Sequence, residues 1–84
     1  MNRYELLKLL KELSKGFVDK KIDGGLYAYI TESLIMLNLE SVPELEDFAD
    51  FLAQYHPHKD LPELYSDEEL KLRIYQLFKI KKND

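Results

Sequence analysis

Apolar residues recur along this chain at the three- and four-residue spacing of an α-helix, in four separate stretches. Leu6, Leu10, Leu13 and Phe17 mark the first stripe, widened by Leu7, Leu9 and Val18, with Lys8, Lys11, Glu12 and Lys15 covering the other side. Gly16 is its weak point, at about 1 kcal/mol relative to alanine inside a helix. The DGG at 23–25 breaks the pattern and restarts it, with Asp23 placed to cap the next helix. Leu26, Ile30, Leu34 and Leu37 form the second stripe, Tyr27 and Tyr29 lie beside it, and Asn38 ends it. SVPE opens the third helix as a capping box: Ser41 at the N-cap, Pro43 in the first turn where its missing N–H does no harm, and Glu44 at the third position. Leu45, Phe48, Ala49 and Leu52 give that helix its inner face.

HPHKDLPELY has two prolines and no helical period, so it reads as a long loop. Ser66 and Glu69 then make a second capping box, with Asp67 and Glu68 at the positive end of a fourth helix. Leu70, Ile74, Leu77 and Phe78 are expected to pack inward, and Lys79, Lys81 and Lys82 to sit at the negative end. No stretch shows the alternation of a strand. The pattern predicts an all-α fold: a compact antiparallel four-helix bundle with a longer loop between helices 3 and 4, one domain over residues 1–84.

The composition narrows the chemistry. At 84 residues and 45% apolar content, the chain can build a single core. It has no cysteine, hence no disulfide, thiol nucleophile or thiolate metal site. No apolar run approaches the ~20 residues that span a bilayer. The opening MNRYELLKLLKELSK is charged throughout, unlike a signal peptide, so a cytoplasmic protein without membrane contact is expected.

Charge changes the picture more. Residues 1–21 hold six basic and three acidic side chains, residues 22–70 one and twelve, and residues 71–84 five and one, so the net charges are +3, −11 and +4. Residues 22–58 contain no Lys or Arg. An acidic surface has the wrong sign for a phosphate backbone, which argues against direct nucleic-acid binding. It has the right sign to steer a basic protein partner. Glu40, Glu44, Glu46, Asp47 and Asp50 surround helix 3, and Asp60, Glu63, Asp67, Glu68 and Glu69 surround the loop and the start of helix 4. A solvated helix face usually mixes signs, and like charges crowded together cost stability, so a function that uses the field is expected here.

His56 and His58, flanking Pro57, raise metal binding and catalysis. A zinc site needs three or four ligands, and the chain has only these two histidines and no cysteine. A histidine base needs a nucleophile or water to activate, and the serines are Ser14, Ser33, Ser41 and Ser66, two of them read as helix caps. No metal, cofactor or catalytic residue is assigned, and an enzyme is not expected. The histidines read as loop residues within reach of a partner. Tyr55 and Tyr65 bracket the loop, either as interface anchors or as packing onto the bundle. Acyl carrier proteins share this size and acidity, with a carrier serine in Asp-Ser-Leu at the start of a helix. Glu32-Ser33-Leu34 instead falls inside a helical stripe, which disfavours that alternative.

The order of features resembles the colicin D immunity protein family, small four-helix bundles that silence a bacteriocin nuclease. The resemblance covers nearly the whole chain. It runs through the opening MN with its apolar helix, the break after KKID, the helix-3 segment LEDFADFLAQYHP and the closing DLPELYSDEELKLRIYQLFK. It implies a non-enzymatic inhibitor of a tRNA-cleaving toxin, whose basic active-site cleft would take carboxylates where phosphates would lie. Acids flank the loop proline in the family, whereas His56 and His58 stand there in this chain. The expected partner surface comprises Glu44, Asp47, Asp50, Tyr55, His56, His58, Asp60, Glu63, Tyr65, Asp67 and Glu68, in a one-to-one heterodimer with the toxin. The alternative is an acidic adaptor or regulatory bundle that binds another basic protein.

Overall fold

Helix α1 (Arg3–Val18) begins at a cap that the hydrophobic pattern does not announce. The Asn2 side chain accepts from the Glu5 N–H at 2.8 Å, and its amide donates back to the Glu5 carboxylate at 2.6 Å. This is a reciprocal cap built from Asn and Glu. The computed structural model describes residues 1–55 and 66–80. Within them lie α1, α2 (Gly24–Leu37), a 3₁₀ turn (Pro43–Leu45), α3 (Glu46–Gln54) and α4 (Asp67–Phe78). The chain is all-helical and compact, with a radius of gyration of 12.2 Å. The expected loop between the last two helices, and Lys81 and Lys82, lie outside the described residues.

Gly16 has a packing reason. After α1 the chain reverses through Lys20, whose φ of 63° is left-handed, and the Ile22 N–H donates to the Gly16 carbonyl at 3.2 Å. Ile22 thereby lies over Gly16, so close that a Cβ there would stand 2.6 Å from its Cδ1. The helix-propensity cost of glycine admits this close approach. Asp23 then caps α2 as expected, accepting from the Leu26 N–H at 3.2 Å. Asn38 ends it, donating to the Leu34 carbonyl at 2.8 Å.

The inner face of α2 differs from the expected stripe. Tyr27, Ala28, Thr31 and Ile35 are buried, whereas Leu26 and Leu37 are exposed and Ile30 and Leu34 only half-buried. The helix is apolar nearly all round, so periodicity alone does not select a face. Polar hydroxyls help decide it. The Ser14 and Tyr27 hydroxyls meet at 2.6 Å in the core, and Phe17 stacks on Tyr27 with ring centroids 5.2 Å apart.

The third helix starts differently too. Ser41 does not cap it: Val42 holds the cap position of a 3₁₀ turn that carries Pro43 and Glu44, and α3 follows directly. The Ser41 carbonyl and the Glu44 carboxylate both accept from the Arg3 guanidinium at 2.9 Å. A long-range ion pair outcompetes the local box. At α4, Ser66 holds the N-cap position, but its hydroxyl faces the Glu69 carboxylate at 3.4 Å without a side-chain bond to the helix N–H groups.

The inner residues of α3 are as expected, Leu45, Phe48, Ala49 and Leu52, joined by Phe51. They meet Leu6, Leu10 and Phe17 of α1, Tyr27 and Ile35 of α2, and Leu70 and Ile74 of α4 in one core. Leu77, expected inside, is 40% exposed, and Phe78 supplies the contact instead, edge-on to Phe48 at 6.0 Å. Arg73 stacks over the Phe51 ring at 4.7 Å. At the far end of α3 the Tyr55 hydroxyl donates to the Asp67 carboxylate.

Candidate acidic interface

Burial of Phe48, Phe51 and Leu52 fixes which side of α3 faces solvent. Glu46, Asp47 and Asp50 are exposed there, with Ala53 and Gln54 continuing the side. Their three- and four-residue spacing sets the carboxylates one turn apart, an arrangement that repels by ~0.2–0.5 kcal/mol per pair on a helix. None of the three has an ion-pair partner within 4.0 Å among the described residues.

Glu44 differs from them. It sits in a 2.5 Å ion pair with Arg3, and both side chains are half-exposed. The hydrogen bond from the guanidinium holds the Glu44 carboxyl below its ordinary value and pushes Arg3 up. Its charge is already answered within the chain. Glu44 and Asp47 face Arg73, Gln76 and Leu77 across a cleft of about 280 Å³ floored by Phe48. Arg73 and Gln76 were not expected at this surface. Arg73 stands one helical turn before Leu77 and Gln76 is its chain neighbour, but Leu77 was read as core.

A second group of acids crowns α4. Asp67, Glu68 and Glu69 are all exposed in its first turn. This end of a helix dipole favours carboxylates. Glu68 has a loose partner in Lys71 at 4.0 Å. Asp67 lines a further cleft of about 440 Å³, where Lys20, Lys21 and Lys71 also gather.

Tyr55 is buried, at 7% exposure, so its ring belongs to the fold and not to the outer surface. It packs over the start of α2 so tightly that a Cβ on Gly24 would overlap its hydroxyl. Burial first, and then the hydrogen bond to Asp67, pushes the phenol pKa up. Among the described residues Tyr55 meets the acidic surface through the Asp67 carboxylate. Of the residues expected to bind a partner, Glu44, Asp47, Asp50, Asp67 and Glu68 are exposed. His56, His58, Asp60, Glu63 and Tyr65 lie outside the described residues.

Ser33 sits in the middle of α2, half-buried, away from any helix start. Among the described residues no three His, Asp or Glu side chains converge on a common metal position. No helix there is long and apolar enough to cross a membrane. The chain matches no protein-family model, no curated protein and no solved structure.

Proposed function

We propose that this chain is an immunity protein. It binds a cognate basic ribonuclease toxin, of the bacteriocin or contact-dependent inhibition kind and tRNA-cleaving, and covers its active-site cleft with carboxylates. The observation that carries this reading is the row Glu46, Asp47 and Asp50 on α3, exposed and without ion pairs among the described residues. It lies in a stretch, 22–58, without a single Lys or Arg. Arg and Lys of a nuclease cleft pair with carboxylates by the same charge-assisted bonds they make with phosphate. The inhibitor performs no chemistry of its own.

The resemblance to the colicin D immunity family supplies the class of partner, and the electrostatics supply the sign. In this reading the four helices form an antiparallel bundle, with residues 56–65 as the loop joining α3 to α4. The contacts Phe48 to Phe78, Phe51 to Arg73 and Tyr55 to Asp67 support that direction of pairing. The acids of α3 and of the first turn of α4 form the binding surface in a one-to-one cytoplasmic complex.

Co-expression tests the proposal. The chain should protect cells from the toxin encoded beside its gene, and the purified pair should bind tightly with an affinity that falls steeply as salt rises. Failure to protect against that toxin overturns the reading. Capture of a different basic protein that lacks nuclease activity favours the adaptor alternative.

A further inference from the structure

Helix α2 is apolar on two opposite sides, and only one of them is used. Tyr27, Ala28, Thr31 and Ile35 turn toward the core. At ~100° per residue, Leu26, Tyr29, Ile30, Ser33, Met36 and Leu37 fall within an arc of about 120° on the far side. Four of these large side chains face water: Leu26 is 53% exposed, Tyr29 73%, Met36 49% and Leu37 83%. The arc carries no charge, since Glu32, the one charged residue of the helix, lies outside it. A helix apolar all round is normally buried all round. With 14 residues, α2 falls well short of the ~20 that a bilayer span requires.

We infer that a second copy of this chain covers that face, with two α2 helices packed antiparallel about a two-fold axis. The sequence of the face is self-complementary in that arrangement. Placing the axis between residues 31 and 32 sets Leu26 against Leu37 of the other copy and Ile30 against Ser33, a large residue over a small one. Tyr29 comes within reach of Met36 of the other copy, a sulfur–aromatic contact. Such an isologous contact needs only one patch that fits itself.

A charged partner finds nothing on this face to pair with, whereas an identical face brings no charge to desolvate, only the Tyr29 and Ser33 hydroxyls. The four exposed side chains present on the order of 400–500 Å² of apolar surface per copy, more than half of the ~800 Å² per partner in a standard interface. The dimer uses a face of α2 and leaves the acids of α3 free, so it stands whether or not the partner of that acidic surface is a toxin.

Solution mass and cross-linking of the full chain test the inference. At roughly 100 µM, where a micromolar dissociation constant leaves most chains paired, sedimentation should give a dimer. Tyr29→Glu and Leu37→Glu should each give a monomer with unchanged helical circular dichroism. The chain has no cysteine, so positions can be read one at a time. The Leu26→Cys, Leu37→Cys double variant should be trapped as a covalent dimer by a short thiol cross-linker. Neither single variant should be, because like positions lie more than ~16 Å apart in this register and the two thiols of one helix are as far apart. A monomeric wild type at that concentration overturns the inference. So does a dimer indifferent to the glutamates, or single variants that cross-link as well as the double.

Discussion

Tyr27 and Tyr55 show how much one hydroxyl can decide. Burial pushes the Tyr27 phenol from 10.0 up to about 12, partly offset by the Ser14 hydroxyl beside it. A folded-state pKa above the unfolded one contributes stability that is whole below pH 10 and lost as pH rises through the folded value. Urea unfolding should therefore lose about 2 kcal/mol between pH 10 and 12 on account of this residue. Tyr27→Phe should flatten that slope. It should also cost about 1–2 kcal/mol at neutral pH, because Ser14 is left buried and unpaired. Tyr55 tests a close approach instead. Gly24→Ala drives a Cβ into its hydroxyl, which is held by Asp67, and to 3.1 Å from the Phe17 ring, and should destabilise by ~1–3 kcal/mol. Gly25→Ala meets only the Asp23 carboxylate at 3.2 Å and should be close to neutral in the same unfolding assay. The sequence marked Tyr55 as either an anchor for a partner or packing for the fold. Only its distance to Gly24 and Asp67, remote in sequence, separates the two.

At the level of the helix, inner faces were legible where one side was polar and obscure where it was not. In α3, acids occupy the outer positions, so Leu45, Phe48, Ala49 and Leu52 could point only one way. In α2 the polar residues Thr31, Glu32 and Ser33 are few and consecutive and so mark no single side, and the expected stripe at Leu26 and Leu37 proved to be the exposed side. Caps divide in the same manner. Asp23 acts locally and was readable, whereas Ser41 lost its box because Arg3, a residue of another helix, holds Glu44. This makes an asymmetric prediction. Asn2→Ala removes a formed cap and should cost about 1 kcal/mol in thermal or urea unfolding. Ser41→Ala removes a hydroxyl that caps nothing, and should change stability by less than ~0.5 kcal/mol.

Across the whole molecule, some charges support the fold, as in the Arg3–Glu44 pair and the acids at the start of α4, whereas the Glu46, Asp47 and Asp50 side chains repel one another along α3. The fold class and the acidic balance were both open to reading in one dimension. Which acids are answered by bases was not: Glu44 in the 3₁₀ turn is paired with Arg3, whereas Asp47 and Asp50 of α3 have no ion-pair partner within 4.0 Å among the described residues. Asp50 is the clearest probe, because it stands beyond the first turn of α3, one turn after Glu46 and Asp47. Asp50→Lys removes two repulsions and sets a lysine four residues C-terminal to Glu46, the favourable order on a helix. The free protein should gain ~0.2–0.5 kcal/mol in unfolding. If that carboxylate meets a desolvated cation of the proposed toxin partner, the same change should weaken binding by ~2 kcal/mol or more, about thirty-fold. Glu12→Lys on α1 alters net charge equally at a distance from α3 and should leave affinity nearly unchanged. Equal losses from both variants would show that only total charge matters and that the α3 row is no interface. Opposite signs on stability and binding at Asp50, with Glu12→Lys silent, would place the carboxylate in the contact, since no purely structural role improves the fold while destroying the complex.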